Sequence, residues 1–133
     1  MKGFNLKVVT PDGLAFDAEV ESLLVRTDDG DVEFLAGHID YMASLGTGRA
    51  RIKQDGKDRF ASVSGGFVTV KDGEVSLVAI TFEFRENIDL ARAKAARDEA
   101  RAKLSSGGTD DKSLKLAQAK LQRALNRIGV AEM

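Results

Sequence analysis

Apolar and polar residues alternate along the first two thirds of the chain. In residues 4–10, FNLKVVT, the apolar side chains fall on one face at a period of two, and they are Phe4, Leu6 and Val8. Alternation of this kind is typical of strands that are buried on one side. Because no strand–helix–strand alternation is present, a doubly wound parallel sheet is not expected.

Turn signals separate these strand-like segments about every ten residues. Pro11 and Gly13 mark the first turn, and an Asp-Asp-Gly turn at 28–30 separates two further strands. The pairs Asp55 with Gly56 and Asp72 with Gly73 each predict a hairpin. Short strands at this spacing indicate a β-sandwich or a small barrel.

The period becomes helical at Asn87, which we expect to cap a first helix that ends near Leu104. The segment SSGGTDD interrupts the pattern at Gly107 and Gly108, and a second helix is predicted from about 112 to 128, with Gly129 as its stop. The residues that could cap this second helix are Thr109, Asp110 and Asp111.

The two predicted helices have different faces. The apolar stripe of the second helix consists of Leu114, Ala117, Leu121, Ala124, Leu125 and Ile128. The first helix offers mainly alanine, which buries little area and predicts a weakly docked pair. We therefore predict an α+β fold, with an N-terminal antiparallel β-sandwich over 1–85 and a C-terminal antiparallel two-helix hairpin over 86–133.

Charge divides the chain in the same place. Residues 1–87 carry 10 Lys/Arg and 15 Asp/Glu, whereas residues 88–133 carry 10 and 6, so an acidic body precedes a basic tail. On the second helix Lys120, Arg123 and Arg127 lie opposite the apolar stripe, and no acidic residue occurs between Asp111 and Glu132. This face predicts either contact with an anionic partner or a solvated surface.

Composition restricts the classes of function. The chain of 133 residues has no cysteine and one histidine, which leaves no thiolate nucleophile and no convincing nucleophile–base pair. Aromatic residues make up 6% and the body is acidic, so nucleic-acid binding is not expected. No apolar run approaches the about 20 residues of a spanning helix, and no signal peptide is recognisable. We expect a soluble, cytosol-facing protein without membrane insertion.

Several segments resemble one family. They are VVTPDG near the start, GDVEFLAGHIDYMASL at 30–45, SVSGGFVTV at 62–70, NIDLARAKAAR at 87–97 and LNRIGVAEM at the end. In this order they resemble the epsilon subunits of bacterial F-type ATP synthases, and SGGF and ID..RA are the most specific pieces. The resemblance covers nearly the whole chain and implies the same sandwich and hairpin.

The resemblance implies a non-catalytic subunit of the rotating central stalk. Its sandwich would bind the gamma subunit and the c-ring, on the cytoplasmic face of the cell membrane. Its helices would regulate ATP hydrolysis, either folded down or extended toward the catalytic alpha and beta subunits. A different hypothesis is an independent ligand-binding β-sandwich with a helical oligomerisation tail, which does not explain SGGF together with ID..RA.

The resemblance also implies a regulatory ATP site. The matching positions are Glu83, Ile88, Asp89, Arg92, Ala93, Arg123 and Arg127. A further arginine of some ATP-binding members is Glu99 here, which would weaken phosphate binding. The alternative is an ion pair between Asp89 and Arg92 that stabilises the helix by a few tenths of a kcal/mol. No GxxxxGK[ST] motif is present, so hydrolysis by this chain is not expected.

The resemblance implies that the segment 30–45 contacts the c-ring. The candidate contact residues in this segment are Asp31, Glu33 and His38. The family's usual prolines are replaced by Ala36 and Asp40, which predicts a looser loop. His38 has a second interpretation as a structural turn residue, because one histidine without partners is not a catalytic site.

Overall fold

The computed structural model describes residues 2–106 and 110–133, and the chain divides into two compact units, Met1–Phe84 and Arg85–Met133. The first unit contains eight strands and the second contains the helices. The predicted fold class, an antiparallel β-sandwich followed by a two-helix hairpin, is confirmed.

Eight strands form one hydrogen-bonded sheet that folds around a single core. Their bounds are β1 Phe4–Thr10, β2 Gly13–Val20, β3 Ser22–Thr27, β4 Gly30–Leu35, β5 Tyr41–Ser44, β6 Gly48–Gln54, β7 Lys57–Lys71 and β8 Glu74–Phe84. The strand order is β2-β1-β8-β7-β6-β3-β4, and β5 pairs with β7. The pairing of β1 with β8 is parallel, and the others in this order are antiparallel.

The core of the sandwich consists of the inward-facing residues that the alternation predicts. Phe4, Leu6 and Val8 are all buried in it. The largest side chains that are fully buried in this core are Leu6, Val8, Val20, Leu23, Val25, Phe34, Ile52, Val68, Val75 and Leu77. Burying a side chain of this size stabilises the fold by about 1.5–3 kcal/mol.

The predicted Asp-Gly hairpins are confirmed, and their backbone angles explain them. Asp55 and Gly56 have φ values of 53° and 75°, and Asp72 and Gly73 have 51° and 80°. Two successive positive φ values define the type I′ turn, whose twist matches that of the two strands it joins. The hairpins β6–β7 and β7–β8 are registered directly across these turns.

Gly65 and Gly66, in the SGGF segment, allow the long strand β7 to lie close against β8. Their φ values are 70° and 93°. A Cβ atom on Gly66 would lie 1.8 Å from the carbonyl oxygen of Val78, and one on Gly65 would lie 2.6 Å from the side chain of Ile80. Any side chain at Gly66 would therefore force the two strands apart.

The second unit begins with a 3-10 turn, Arg85–Asn87, followed by α1, Leu90–Ser106, and α2, Asp111–Ala131. Two details differ from prediction. Asn87 ends the 3-10 turn and does not cap α1. Gly129 lies inside α2, which continues for two more residues. The predicted break at Gly107 and Gly108 lies outside the described residues, as does Thr109.

Asp110 is the N-cap of α2, one of the three residues that the sequence offered. Its Oδ1 accepts a hydrogen bond of 2.8 Å from the backbone amide of Ser113. Hydrogen bonds from Ser113 hold the pKa of the Asp110 carboxyl below its ordinary value. A charged carboxylate is also favoured by the dipole at a helix N-terminus.

The helices of the hairpin pack through small residues. The buried residues of α1 are Ala93 and Ala100, and those of α2 are Ala117, Ala124, Ile128 and Val130. Because four of these six residues are alanines, the hairpin buries much less apolar area per contact than the sandwich core does. In the described part of the chain, no helix is long and apolar enough to cross a membrane.

Candidate functional sites

The ID..RA segment forms the start of α1, and Asp89 is its cap. Oδ1 of Asp89 accepts a hydrogen bond of 3.0 Å from the backbone amide of Arg92. The carbonyl oxygen of Asp89 accepts the first helical bond, 3.0 Å from the amide of Ala93. An aspartate cap stabilises a helix by about 1 kcal/mol, more than an exposed ion pair of the same residues would.

This geometry determines how an anion could bind at the start of α1. The Asp89 carboxylate accepts the hydrogen bond of the Arg92 backbone amide, so this amide is not available to a phosphate. It also places a negative charge at the helix N-terminus. A phosphate at this end of α1 would therefore meet the exposed guanidinium of Arg92, which can donate forked hydrogen bonds, and not the amide of Arg92.

The two arginines of α2 lie one turn apart and are half-buried. The hairpin is antiparallel, because Lys94 Nζ lies 3.8 Å from Glu132 Oε2. At about 1.5 Å per residue, Arg127 lies about 8 Å and Arg123 about 14 Å along α2 from Glu132. On the same estimate Glu99 lies at the level of Arg127 on the facing helix.

The remaining residues of the predicted ATP site lie in different surroundings. Ala93 is buried and Ile88 is half-buried. Glu83 is half-buried in β8, where it pairs with Ser62 of β7. The structure thus brings Asp89, Arg92 and Ala93 together in one helical turn, and Glu83 belongs to the other compact unit.

The two acidic residues predicted to contact the c-ring are each paired with an arginine of the same sheet. Arg26 donates from Nε to Oδ1 of Asp31 at 2.6 Å, and Arg51 donates to Glu33. The hydrogen bond from Arg26 holds the pKa of Asp31 below its ordinary value, and the positive charges of Arg26 and Arg49 act in the same direction. A partner that uses these carboxylates has to share them with Arg26 and Arg51.

His38 packs as a turn residue. Its ring lies edge-on to Phe34 and Tyr41, with centroids at 4.9 Å and 5.9 Å, and its Nδ1 is 2.7 Å from the carbonyl oxygen of Ile39. These contacts give His38 a structural role in the loop, whichever partner the loop binds.

Asp40, which stands where the sequence resemblance implies a proline, forms a hydrogen bond of its own. Its Oδ1 accepts a hydrogen bond of 3.0 Å from the backbone amide of Asp72, in the turn between β7 and β8. The loop between β4 and β5 is thereby attached to a neighbouring turn through a side chain. This contact restrains the loop, and it thereby replaces part of the conformational restriction that a proline would provide.

Three apolar side chains in and beside the loop between β4 and β5 are exposed, and this exposure was not predicted from the sequence. Leu35, Ile39 and Met42 are 55%, 79% and 69% exposed. The sequence feature that could have indicated this exposure is Ile39, an isoleucine in the otherwise polar turn GHID. We refer to these three residues as the loop surface.

A second apolar surface crosses the outer face of the sheet. Leu14 pairs with Val9, Val9 with Val78, and Val78 with Phe67 in register across β2, β1, β8 and β7. Leu14, Val78 and Phe67 are exposed, and Ile80 adds to them two residues along β8. We refer to Leu14, Val9, Val78 and Phe67 as the apolar row. Contiguous exposed apolar surface of this kind marks a protein interface.

The acidic and histidine side chains of residues 2–106 and 110–133 form no group of three that could hold a metal ion. What the described side chains offer is two apolar surfaces on the sandwich and a set of arginines on the hairpin. These features are suited to binding other molecules.

Family models match both units of the chain. The model for the β-sandwich domain of the ATP synthase delta/epsilon chain matches residues 3–85. The model for the long α-helix domain of the same chain matches residues 86–132. Together they span almost the entire sequence.

Relatives and solved structures agree with these matches. Over 131 residues the chain is 44% identical to the ATP synthase epsilon chain of Bacillus subtilis and 42% identical to that of Bacillus velezensis, with 98% of each chain covered. It is similar to a chain in the cryo-EM structure of the Euglena gracilis mitochondrial ATP synthase (OSCP/F1/c-ring), with a TM-score of 0.80 and 27% identity over 93% of this chain and 78% of that chain. A chain in the central stalk/c-ring structure of the Tetrahymena thermophila mitochondrial ATP synthase shares the fold, with a TM-score of 0.64 at 12% identity, over 96% of this chain and 95% of that chain.

Proposed function

The chain belongs to the delta/epsilon family of ATP synthase subunits, and we propose that it is a non-catalytic rotor subunit that joins the gamma subunit to the c-ring. Its helical hairpin regulates ATP hydrolysis. This role places the protein on the cytoplasmic face of the membrane, bound to the complex and not inserted in the bilayer.

The observation that carries this proposal is the apolar row on the outer face of the sandwich. Four apolar residues lie in register on four neighbouring strands, and Leu14, Val78 and Phe67 are exposed while Val9 between them is half-buried. Such a surface is stabilised when a partner covers it, at about 25 cal/mol per Å². We assign the apolar row to the gamma subunit, because it lies on long, well-supported strands that suit a permanent contact.

The loop surface serves the second contact of the rotor. Leu35, Ile39 and Met42 belong to the segment from β4 to β5 that also contains Asp31, Glu33 and His38. We assign this segment to the c-ring. The ion pairs of Asp31 and Glu33 keep the flanking strands in place, and the exposed apolar side chains supply most of the contact area.

The hairpin carries the regulatory part of the proposal. Its buried residues are mainly alanines, so the two helices are held together by little apolar area. Released from this packing, the basic face of α2 would meet acidic segments of the alpha and beta subunits and retard rotation in the direction of hydrolysis.

ATP is the proposed ligand of the closed hairpin. Arg92 of α1 and Arg123 and Arg127 of α2 supply forked donors for phosphate oxygens from both helices. A ligand that binds both helices favours the closed form by the difference between its affinities for the two forms. Glu99, at the level of Arg127, lowers that affinity through its negative charge.

The test measures binding of purified gamma subunit and purified c-ring to the full chain and to two variants. Phe67→Asp places a charge in the apolar row and should weaken gamma binding at least about tenfold. Ile39→Asp should weaken binding of the c-ring and leave gamma binding unchanged. Leu116→Asp is the matched control, because Leu116 is an exposed leucine of α2, 56% exposed.

Each outcome bears on the assignment of the two surfaces. If Phe67→Asp and Leu116→Asp bind gamma equally well, the apolar row is not the gamma interface. If Ile39→Asp retains full affinity for the c-ring, the loop surface has been assigned to the wrong partner.

A further inference from the structure

The C-terminal end of α2 lacks the compensation that helix ends normally have. No basic residue lies in its last turn, and the residue that ends it, Glu132, is acidic. The carbonyl groups at a helix C-terminus carry a partial negative charge, so cations are favoured there and anions are not. By itself this end of α2 is electrostatically unfavourable.

The missing positive charge comes from the other half of the hairpin. Arg85 Nη1 donates a hydrogen bond of 3.2 Å to the carbonyl oxygen of Met133. Lys94 Nζ lies 3.8 Å from the Glu132 carboxylate, and both side chains are about half exposed, at 45% and 52%. Two cations from the start of the unit thus meet the end of α2.

From these contacts we infer that Arg85 and Lys94 form an electrostatic latch with Met133 and Glu132, and that this latch holds the hairpin closed. The inference rests on the proposed regulatory hairpin and names the residues that set its closing equilibrium. Because four of the six buried residues of the hairpin are alanines, which contribute little apolar area, the loss of either contact should produce a measurable change in how often the hairpin opens.

The latch also predicts a response to salt. The Debye length falls from about 10 Å at 0.1 M salt to about 3 Å at 1 M, so added salt weakens this half-exposed ion pair, whereas it does not weaken apolar packing. Raising the concentration of sodium chloride should therefore open the wild-type hairpin, and this response should be reduced in a protein without the latch.

The experiment uses the full chain, which has no native cysteine. Ala100→Cys or Ala124→Cys places a thiol at a buried position of the hairpin, and its rate of reaction with a thiol reagent reports how often the hairpin opens. Ala61→Cys in the sandwich core is the reference site, since its rate reports the stability of the other unit.

Arg85→Gln and Lys94→Gln should each raise the labelling rate at the hairpin thiols by about two- to fivefold, the range expected for one surface ion pair. The rate at the Ala61→Cys thiol should not change. Arg101→Gln, which removes an exposed cation of α1 outside its last turn, is the matched control and should leave all rates unchanged. The reversed pair Lys94→Glu with Glu132→Lys should return the rate to the wild-type value or below it.

Unchanged labelling in Arg85→Gln and Lys94→Gln would overturn the latch, and so would failure of the reversed pair to restore the rate. A rise at Ala61→Cys equal to that at the hairpin would show general destabilisation, which also contradicts it. These outcomes are independent of gamma binding and of ATPase activity, so the latch can fail while the rotor assignment stands.

Discussion

At the scale of single residues, short acidic side chains determine where the backbone turns. Asp89 caps α1, Asp110 caps α2, and Asp40 accepts from the turn between β7 and β8. The sequence predicted a cap near the start of α1 but placed it at Asn87, two residues early. Asparagine and aspartate are equally good caps, and only the position of the first helical hydrogen bond distinguishes them.

The ion pair between Arg26 and Asp31 leads to a prediction for the pKa of the Asp31 carboxyl group. Because Arg26 donates directly to Asp31, the variant Arg26→Gln should raise the pKa of Asp31 toward its ordinary value. Carboxyl carbon chemical shifts followed by NMR across acidic pH would measure the change. The control is Asp110, whose pKa is lowered by Ser113 and should not respond.

The sign of the linked stability follows from this direction. A carboxyl whose pKa is lowered on folding stabilises the protein above its unfolded pKa, and this stabilisation is lost as pH falls through the folded pKa. The wild type should therefore lose more stability than Arg26→Gln on acidification through that window. Identical pH dependence of the two proteins, with an unshifted Asp31, would refute the role of Arg26.

The close approach of β7 and β8 at Gly66 predicts a large loss of stability. Gly66→Ala combines a positive φ with a contact of 1.8 Å to the Val78 carbonyl oxygen, and it should lower the free energy of unfolding by about 3 kcal/mol or more. Gly37→Ala is the matched control, because its φ of 80° is also positive and a Cβ there meets nothing within 4 Å.

Gly37→Ala should cost only about 1 kcal/mol, the backbone strain alone. Urea denaturation followed by circular dichroism measures both variants. Equal losses in the two proteins would mean that strand packing at SGGF does not depend on the absent side chain.

At the scale of elements, prediction succeeded where local chemistry decides the outcome. The Asp-Gly pairs specify type I′ turns, and both hairpins follow from them. The end of α2 was predicted at Gly129, but the helix runs to Ala131. A single glycine costs a helix only about 1 kcal/mol, which the contacts at its C-terminal end can offset.

The exposed surfaces could not be predicted from alternation in the same way. Period-two alternation shows that Val9 and Val78 lie opposite the core, but it does not show that they align with Leu14 and Phe67. That alignment depends on the parallel pairing of β1 with β8, which joins residues about 70 positions apart. Local patterns contain no information about such a register.

From the arginines on the two helices we expect the full chain to bind ATP with measurable affinity. Glu99→Arg should tighten binding, because it replaces a negative charge with a phosphate-binding guanidinium at the level of Arg127. Arg92→Ala and Arg123→Ala should weaken it. Isothermal titration calorimetry on the full chain measures all three, and Arg101→Ala serves as a control for loss of one exposed arginine of α1.

ATP binding would be ruled out as a property of this chain if wild type and Glu99→Arg both gave no heat and no NMR shifts at millimolar ATP. In that case the cap formed by Asp89 remains a sufficient account of the ID..RA segment.

At the scale of the whole molecule, the two units are stabilised in different ways. The sandwich has a core of large apolar side chains, whereas the hairpin relies on alanine contacts, helix caps and a few ion pairs. The sequence indicated this contrast, since the alanine content of the first helix can be read directly. The residues that hold the hairpin closed at its end could not be identified, because Arg85 and Met133 are 48 positions apart in sequence and Lys94 and Glu132 are nearly as far apart.

The central claim is that a firmly folded sandwich holds the rotor while a weakly closed hairpin regulates it. The most direct measurement is the ATPase activity of the assembled complex, reconstituted with the full chain or with a chain that ends at residue 110. Removal of α2 should raise the rate of ATP hydrolysis while the shortened chain remains bound to the complex. An unchanged rate, with the shortened chain still bound, would contradict a regulatory role for the hairpin.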